Sequence, residues 1–305
     1  MRERTLDAAI GALDRSTSFF WGIVKAMHPV LTRLQWTRFH TYRLEKRRDD
    51  VYIVTYPKSG TTWVQMMAWQ LQSHGSLDFR HIDDVVPWIE RCTERDLARL
   101  AALPSPRFFK THLPYRDVPA GARYIYVVRR LRDVAVSYYH HYRLMEDFAG
   151  GVDAFARHVL AGKVGGGSWG DHVRPWVERR NDPDVLFLSY EEMKADPAGA
   201  LRRIARFSDV ALAERDVPRL IEQSSVAFMK TLDARFDPRL ARRGSFVRKG
   251  EVDDAARALD PALLAALAEE EERVLGGCRG ARAHDAGALP KVPFEAGARL
   301  TRPRT

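Results

Sequence analysis

Apolar residues along this chain follow two rhythms. Four short runs, Val51-Tyr52-Ile53-Val54-Thr55, Arg107-Phe108-Phe109, Tyr124-Ile125-Tyr126-Val127-Val128 and Val185-Leu186-Phe187-Leu188, have the length and β-rich make-up of buried strands. Between them the apolar positions recur at helical spacing, as in Trp63, Met66, Met67 and Leu71. This alternation predicts an α/β fold of three layers, P-loop-like, with a central, mostly parallel sheet flanked by helices through right-handed crossovers. Asp133 is read as the cap of a helix through Tyr142, and Asp196-Pro197 has the cap-then-proline order that opens another. The strands end in polar or basic residues, at Tyr56-Pro57-Lys58-Ser59, Lys110-Thr111-His112, Arg129 and Ser189-Tyr190. In open α/β sheets ligands bind at the carboxyl ends of strands, so these four ends are expected to meet at one crevice.

Outside that core the pattern changes. Residues 1–48 read as a helical extension, with Phe19, Phe20, Ile23, Met27, Val30 and Leu31 near the helical period ahead of a basic stretch. It is expected to pack on the domain, and a peripheral contact of this helix with a membrane or a lipid-like substrate stays open. Residues 49–285 are expected to form the main domain and 286–305 a tail, while the Gly-rich stretch Gly162 to Gly170 reads as a mobile loop.

Composition narrows this picture. With 305 residues, 45% of them hydrophobic, the chain can bury one large core. Two cysteines far apart, Cys92 and Cys278, exclude a disulfide framework and a multi-cysteine zinc site, and suit a reducing cytoplasm. The apolar run from Phe19 to Met27 contains Lys25 and is too short for a membrane span, and no signal peptide is expected. A formal charge of +9 fits nucleic acid, an anionic membrane or a strongly anionic small ligand. The informative cations lie one at a time in separate strand-end turns, whereas a nucleic-acid binder needs them interleaved with exposed aromatics along one face. No nucleic-acid partner is therefore expected, and a non-enzymatic binder of nucleic acid or anionic surfaces is kept as an alternative.

The turn from the first strand into the next helix, Thr55-Tyr56-Pro57-Lys58-Ser59-Gly60-Thr61-Thr62-Trp63, has the make-up of an oxyanion site. Backbone N–H groups and the helix dipole favour a phosphate there, Gly60 lets the backbone approach it, Ser59, Thr61 and Thr62 add hydroxyl donors, and Lys58 adds charge. The loop is not a Walker A sequence, because lysine precedes the glycine and the earlier glycine is missing. A magnesium-dependent nucleotide kinase is thereby disfavoured but remains an alternative, and no metal site is expected.

At this point the sequence resembles the cytosolic-type sulfotransferases that use 3'-phosphoadenosine 5'-phosphosulfate (PAPS). The resemblance covers residues 51 to 275 and rests on five ordered motifs beyond the loop. These are Lys110-Thr111-His112-Leu113-Pro114; Arg129 with Ser137; Gly167-Ser168-Trp169 with His172 and Trp176; Tyr190-Glu191-Glu192-Met193-Lys194; and Phe246-Val247-Arg248-Lys249-Gly250. It implies PAPS as co-substrate, the 5' end held by Lys58, Ser59, Gly60, Thr61 and Thr62, the 3'-phosphate by Arg129, Ser137, Arg248, Lys249 and Gly250, and the adenine against Trp63 and Tyr190 with Ser224 nearby. It further implies transfer of a sulfuryl group to a hydroxyl of a small acceptor. The aromatic residues Phe79, Trp88, Tyr138, Tyr142 and Phe148 suit an apolar alcohol or phenol.

In-line sulfuryl transfer needs a base and fixed cations. His112 is read as the base, Lys58 as the cation at the bridging oxygen and Lys110 as the cation at the sulfuryl oxygens. The chain departs from the family after Gly250, reading Glu251-Val252-Asp253-Asp254 in place of the usual Gly-Asp-Trp-Lys stretch, and at Val226, where many relatives carry phenylalanine. The animal members' dimer motif is absent from Pro261 to Leu275, so the oligomeric state is left open.

Overall fold

The computed structural model describes residues 44–145, 148–237, 244–247, 250 and 255–276. Of the expected N-terminal helical extension only residues 44–48 fall among these, and they run as irregular chain; the rest of the extension and the C-terminal tail lie outside the described residues.

Four parallel strands, β1 (Val51–Thr55), β2 (Phe108–Thr111), β3 (Arg123–Val128) and β4 (Val185–Ser189), form one sheet in the order β2-β1-β3-β4. Helix α1 (Thr61–Gln72) follows β1, and the short α2 (Ile82–Val85) and α3 (Leu97–Ala102) lead to β2. After β3 come α4 (Leu131–Leu144), α5 (Val152–Leu160) and α6 (Trp169–Glu178). After β4 come α7 (Tyr190–Ala195), α8 (Pro197–Ser208), α9 (Val217–Gln223), α10 (Val226–Thr231), α11 (Ala255–Ala258) and α12 (Pro261–Leu275).

The side-chain period of two sorts each strand between two cores. Tyr52, Val54, Phe109, Tyr124, Tyr126 and Val128 pack with α4, α5, α6, α11 and α12 on one face. Val51, Ile53, Phe108, Ile125 and Val127 pack with α1, α8 and α9 on the other. Both faces are therefore dry, which is why the strands read as unbroken apolar runs and why the architecture has three layers.

Local expectations met two outcomes. Asp196 caps α8, accepting from the Gly199 N–H at 2.8 Å with Pro197 in the first turn. Asp133, read as a cap, lies instead in the first turn of α4, buried, where it accepts from the Ala255 N–H at 3.3 Å. Helix α4 starts three residues earlier, with Arg130 at its N-cap, because Leu131 and Val134 have core to fill, and Asp133 is spent tying α11 to it. The stretch expected as a mobile loop is fastened: Tyr56 Oη donates to Gly167 O at 2.9 Å and the Gly165 N–H to Tyr142 Oη at 3.2 Å.

Candidate functional site

From β1 the chain moves to β2 on one side and then returns past β1 to β3 and β4, so the crevice opens beyond the carboxyl ends of β1 and β3. The turn after β1 enters it. Lys58 and Gly60 adopt left-handed φ values of 70° and 99°. Gly60 sits at the N-cap of α1 without a side-chain cap, leaving the first-turn N–H groups to face the loop. A Cβ on Gly60 would stand 2.7 Å from Tyr190 Cδ2, so only glycine fits between loop and ring. Ser59 is fully buried and its Oγ has no hydrogen-bond partner, a costly state that an anionic ligand's oxygen would relieve. Thr61 Oγ1 lies 2.6 Å from Thr55 Oγ1, and Thr62 is half-buried beside it.

On the β3 and β4 side, Arg129 donates from Nη1 to Lys58 O at 3.2 Å and lies 4.2 Å over the Tyr190 ring. Trp63 meets the same ring edge-on at 5.4 Å. Gly250, at φ 63°, approaches Tyr190 and Val226 so closely that a Cβ would stand 2.4 Å from Val226 Cγ2. Thus Lys58, Ser59, Gly60, Trp63, Arg129, Tyr190 and Gly250 come together. Ser137 is half-buried about two turns into α4. Ser224 is fully buried and donates to Leu220 O at 2.7 Å, so its hydroxyl is engaged within the end of α9. Arg248 and Lys249 lie outside the described residues.

His112 follows β2. Its Nδ1 lies 2.9 Å from Thr55 O and 3.2 Å from Thr55 Oγ1. A carbonyl only accepts, so Nδ1 carries the proton and Nε2 keeps a lone pair. The His112 backbone N–H donates to Glu90 Oε1 at 2.6 Å, and the Trp88 ring stands edge-on at 5.2 Å. Lys110 is buried with Nζ 4.3 Å over the Trp88 ring and 3.8 Å from Asp83 Oδ1. Burial, aided by the charges of Lys110 and Lys58, pushes the His112 imidazole down to about 3. Burial also lowers the Lys110 ammonium against the pull of Asp83, and raises the Glu90 carboxyl against the His112 N–H.

Asp83 and Glu90 carry no motif and were not foreseen. The segment holding them lies beside β2 through a single parallel bridge between Trp88 and Lys110, with the Lys110 N–H donating to Pro87 O at 2.8 Å. The signal was there: Val86 and Ile89 are fully buried in an apolar stretch that ends in an acid, Glu90. Of the aromatics expected around an acceptor, Trp88 reaches the site, whereas Phe79 and Tyr138 are core residues and Tyr142 and Phe148 pack on Phe155 at 5.0 and 5.1 Å. Among the described residues no cluster of three His, Cys, Asp or Glu is arranged to hold a metal ion, and no helix is long and apolar enough to cross a membrane.

Comparison with known proteins gives this site its family. The sulfotransferase domain model matches residues 48–279. Sulfotransferase 1C2 of Rattus norvegicus is 31% identical over 245 residues, 72% of this chain and 80% of that protein. The luciferin sulfotransferase of Photinus pyralis is 33% identical over 246 residues, 68% of this chain and 66% of that protein. Among solved structures, mouse sulfotransferase SULT7A1 complexed with PAP aligns with a TM-score of 0.66 at 28% identity, covering 79% of this chain and 88% of that one. Retinol dehydratase complexed with retinol and PAP aligns with a TM-score of 0.65 at 26% identity, covering 80% and 85%. The chain belongs to the sulfotransferase family. It is a PAPS-dependent enzyme that transfers a sulfuryl group to a small molecule, and the loop geometry, with its glycine cradle and buried, unpartnered hydroxyl, suits that nucleotide.

Proposed function

We propose that His112 is the general base for the acceptor hydroxyl, flanked by Lys58 and Lys110. Lys58, Ser59, Gly60, Thr61 and Thr62 hold the 5' end of the nucleotide, Arg129 and Ser137 its 3'-phosphate with Arg248 and Lys249, and Trp63 and Tyr190 its base. PAPS supplies the sulfuryl group and a stable leaving group. Lys58 and Lys110 then meet the negative charge that develops along the breaking bond, each a fixed cation needing little rearrangement. His112 Nε2 takes the hydroxyl proton, while the Nδ1 contact to Thr55 O and the Glu90 contact to its backbone hold the ring in line.

One observation carries this reading: the His112 imidazole has a single open nitrogen and shares the charges of the two lysines expected beside the sulfuryl group. A nucleotide's negative charge would offset those cations and strengthen the base when it is needed. An apolar or aromatic alcohol or phenol is the acceptor class favoured by Trp88 and Phe246, the latter 5.1 Å from Lys58 Nζ; the luciferin and retinol of two similar proteins are of that kind. We place the reaction in the reducing cytoplasm, on the two lone cysteines. Purified protein is incubated with labelled PAPS and a panel of phenols, sterols, lipid alcohols and sugars. Labelled phenol or alcohol products are expected; product confined to sugars would overturn the acceptor class, and no binding of PAP by calorimetry would overturn the nucleotide assignment.

A further inference from the structure

Helix α4 carries a second imidazole that the reaction above leaves unused. His141 lies one helical turn beyond Ser137, on the same face of α4, so the face that begins at the nucleotide continues to His141. Its ring meets Phe246 at 6.4 Å with the planes 72° apart, and Lys58 Nζ lies 5.1 Å from that same phenylalanine ring. Phe246 is held there: the Asp233 carboxylate accepts from the Phe246 N–H at 2.8 Å and from the Val247 N–H at 2.6 Å. Gly244, in the same segment, lies against Leu144 in the last turn of α4. Phe246 is thus pinned between Lys58 and His141 by contacts to two separate helical segments.

Among the described residues the His141 ring nitrogens have no hydrogen-bond partner. Burial pushes the imidazole down to about 3, and Lys58, Arg91 and Lys110 add to the effect while Asp237 opposes it. The ring therefore stays neutral at physiological pH, with one donor and one acceptor nitrogen, a set that matches a hydroxyl. Lys58, in the turn after β1, and His141, on α4, face the same Phe246 ring, so His141 borders the lysine-bearing turn from a different element than His112, which follows β2. One of the two imidazoles is committed to the reacting hydroxyl.

We propose that His141 is a specificity-determining residue that hydrogen-bonds a second hydroxyl of the acceptor, with Phe246 against the acceptor's ring, so that the enzyme favours catechol-like aromatic diols over simple phenols. This rests on the acceptor site proposed above and names the substrate class it takes. The cost of leaving a site's polar group unmatched is what makes a missing hydroxyl count in selection.

The test uses the full-length chain with saturating PAPS and two probes, 4-nitrocatechol and 4-nitrophenol. The readout is the ratio of their kcat/KM values in wild type, His141→Phe and His141→Gln. Comparing ratios between variants cancels the intrinsic reactivity of the two acceptors. The catechol preference is expected to fall about tenfold in His141→Phe, the worth of one neutral hydrogen bond, and to recover in part in His141→Gln. PAP affinity measured by calorimetry on each variant reports that the fold and nucleotide site persist. An unchanged ratio in His141→Phe, or an equal loss on both acceptors, overturns the proposal. Failure of the underlying reading looks different: wild type binds PAP but transfers label to neither probe.

Discussion

At the amino-terminal end of the sheet, Asp50 and Arg107 bury a full pair of charges; at the carboxyl end Ser59, Lys110, His112 and Glu90 bury polar groups as well. The first set is closed. Arg107 donates from Nε to Asp50 Oδ1 and from Nη2 to Asp50 Oδ2, both at 2.8 Å, and to the Glu45 and Leu100 carbonyls, while the Arg47 N–H reaches Asp50 Oδ2 at 2.9 Å. The second set is open: Ser59 Oγ and Glu90 Oε2 have no partner, and His112 and Lys110 are pushed toward their neutral forms. Burial thus serves opposite ends. Satisfied charges lock the strands in register, whereas unsatisfied ones store a demand that a ligand can meet.

Each edge can be broken separately. The largest effect is expected from His112→Ala, which should lower kcat by about 10²- to 10⁴-fold while PAP affinity and melting temperature change little; a fully active variant would remove the general-base assignment. Next, Asp50→Ala should cost about 3–5 kcal/mol of stability, because it strands the Arg107 guanidinium in the core. Urea titration measures that loss, and its appearance as a specific defect in PAP binding rather than in stability would blur the division between the edges. Arg129→Ala should raise the KM for PAPS by roughly ten- to a hundredfold, more than it lowers turnover at saturation; an unchanged KM refutes the 3'-phosphate role.

The gentlest probe is pH. His112 and His141 are held near about 3 and His172 near about 4, burial being the main cause for all three. An unfolded chain has histidines near 6.5, so below that value the unfolded state binds more protons than the native one. Stability is therefore full above about 6.5 and declines as pH falls toward about 3 to 4, by at most about 1.4 kcal/mol per pH unit for each histidine. Melting curves at pH 7, 6 and 5 test this, and added PAP should soften the decline by bringing negative charge to His112. A melting temperature flat across that range would mean the imidazoles are not desolvated as described.

Much of this architecture was legible because both rhythms are strong. The buried strands announced themselves as Val51–Thr55 and Tyr124–Val128, and the loop from Lys58 to Thr62 carried its chemistry in residue type and position alone. What stayed hidden depends on contacts between segments far apart in the chain. Asp233 reaches Phe246, Glu90 reaches His112 and Asp133 reaches Ala255, each a short-range bond across a long sequence separation that no periodicity encodes. Tyr138 and Phe79 misled for the converse reason: an aromatic residue in a loop or helix reads the same whether it faces a ligand or the core.

Tyr56 carries one further consequence. Its hydroxyl grips Gly167 O from the residue just ahead of Pro57 and Lys58, so a single phenol mechanically couples the glycine-rich segment to the lysine-bearing turn. Anyone grafting a foreign sequence into residues 162–168 to admit a new acceptor will also perturb how the donor nucleotide is gripped. Retuning selectivity there calls for screening both substrates together.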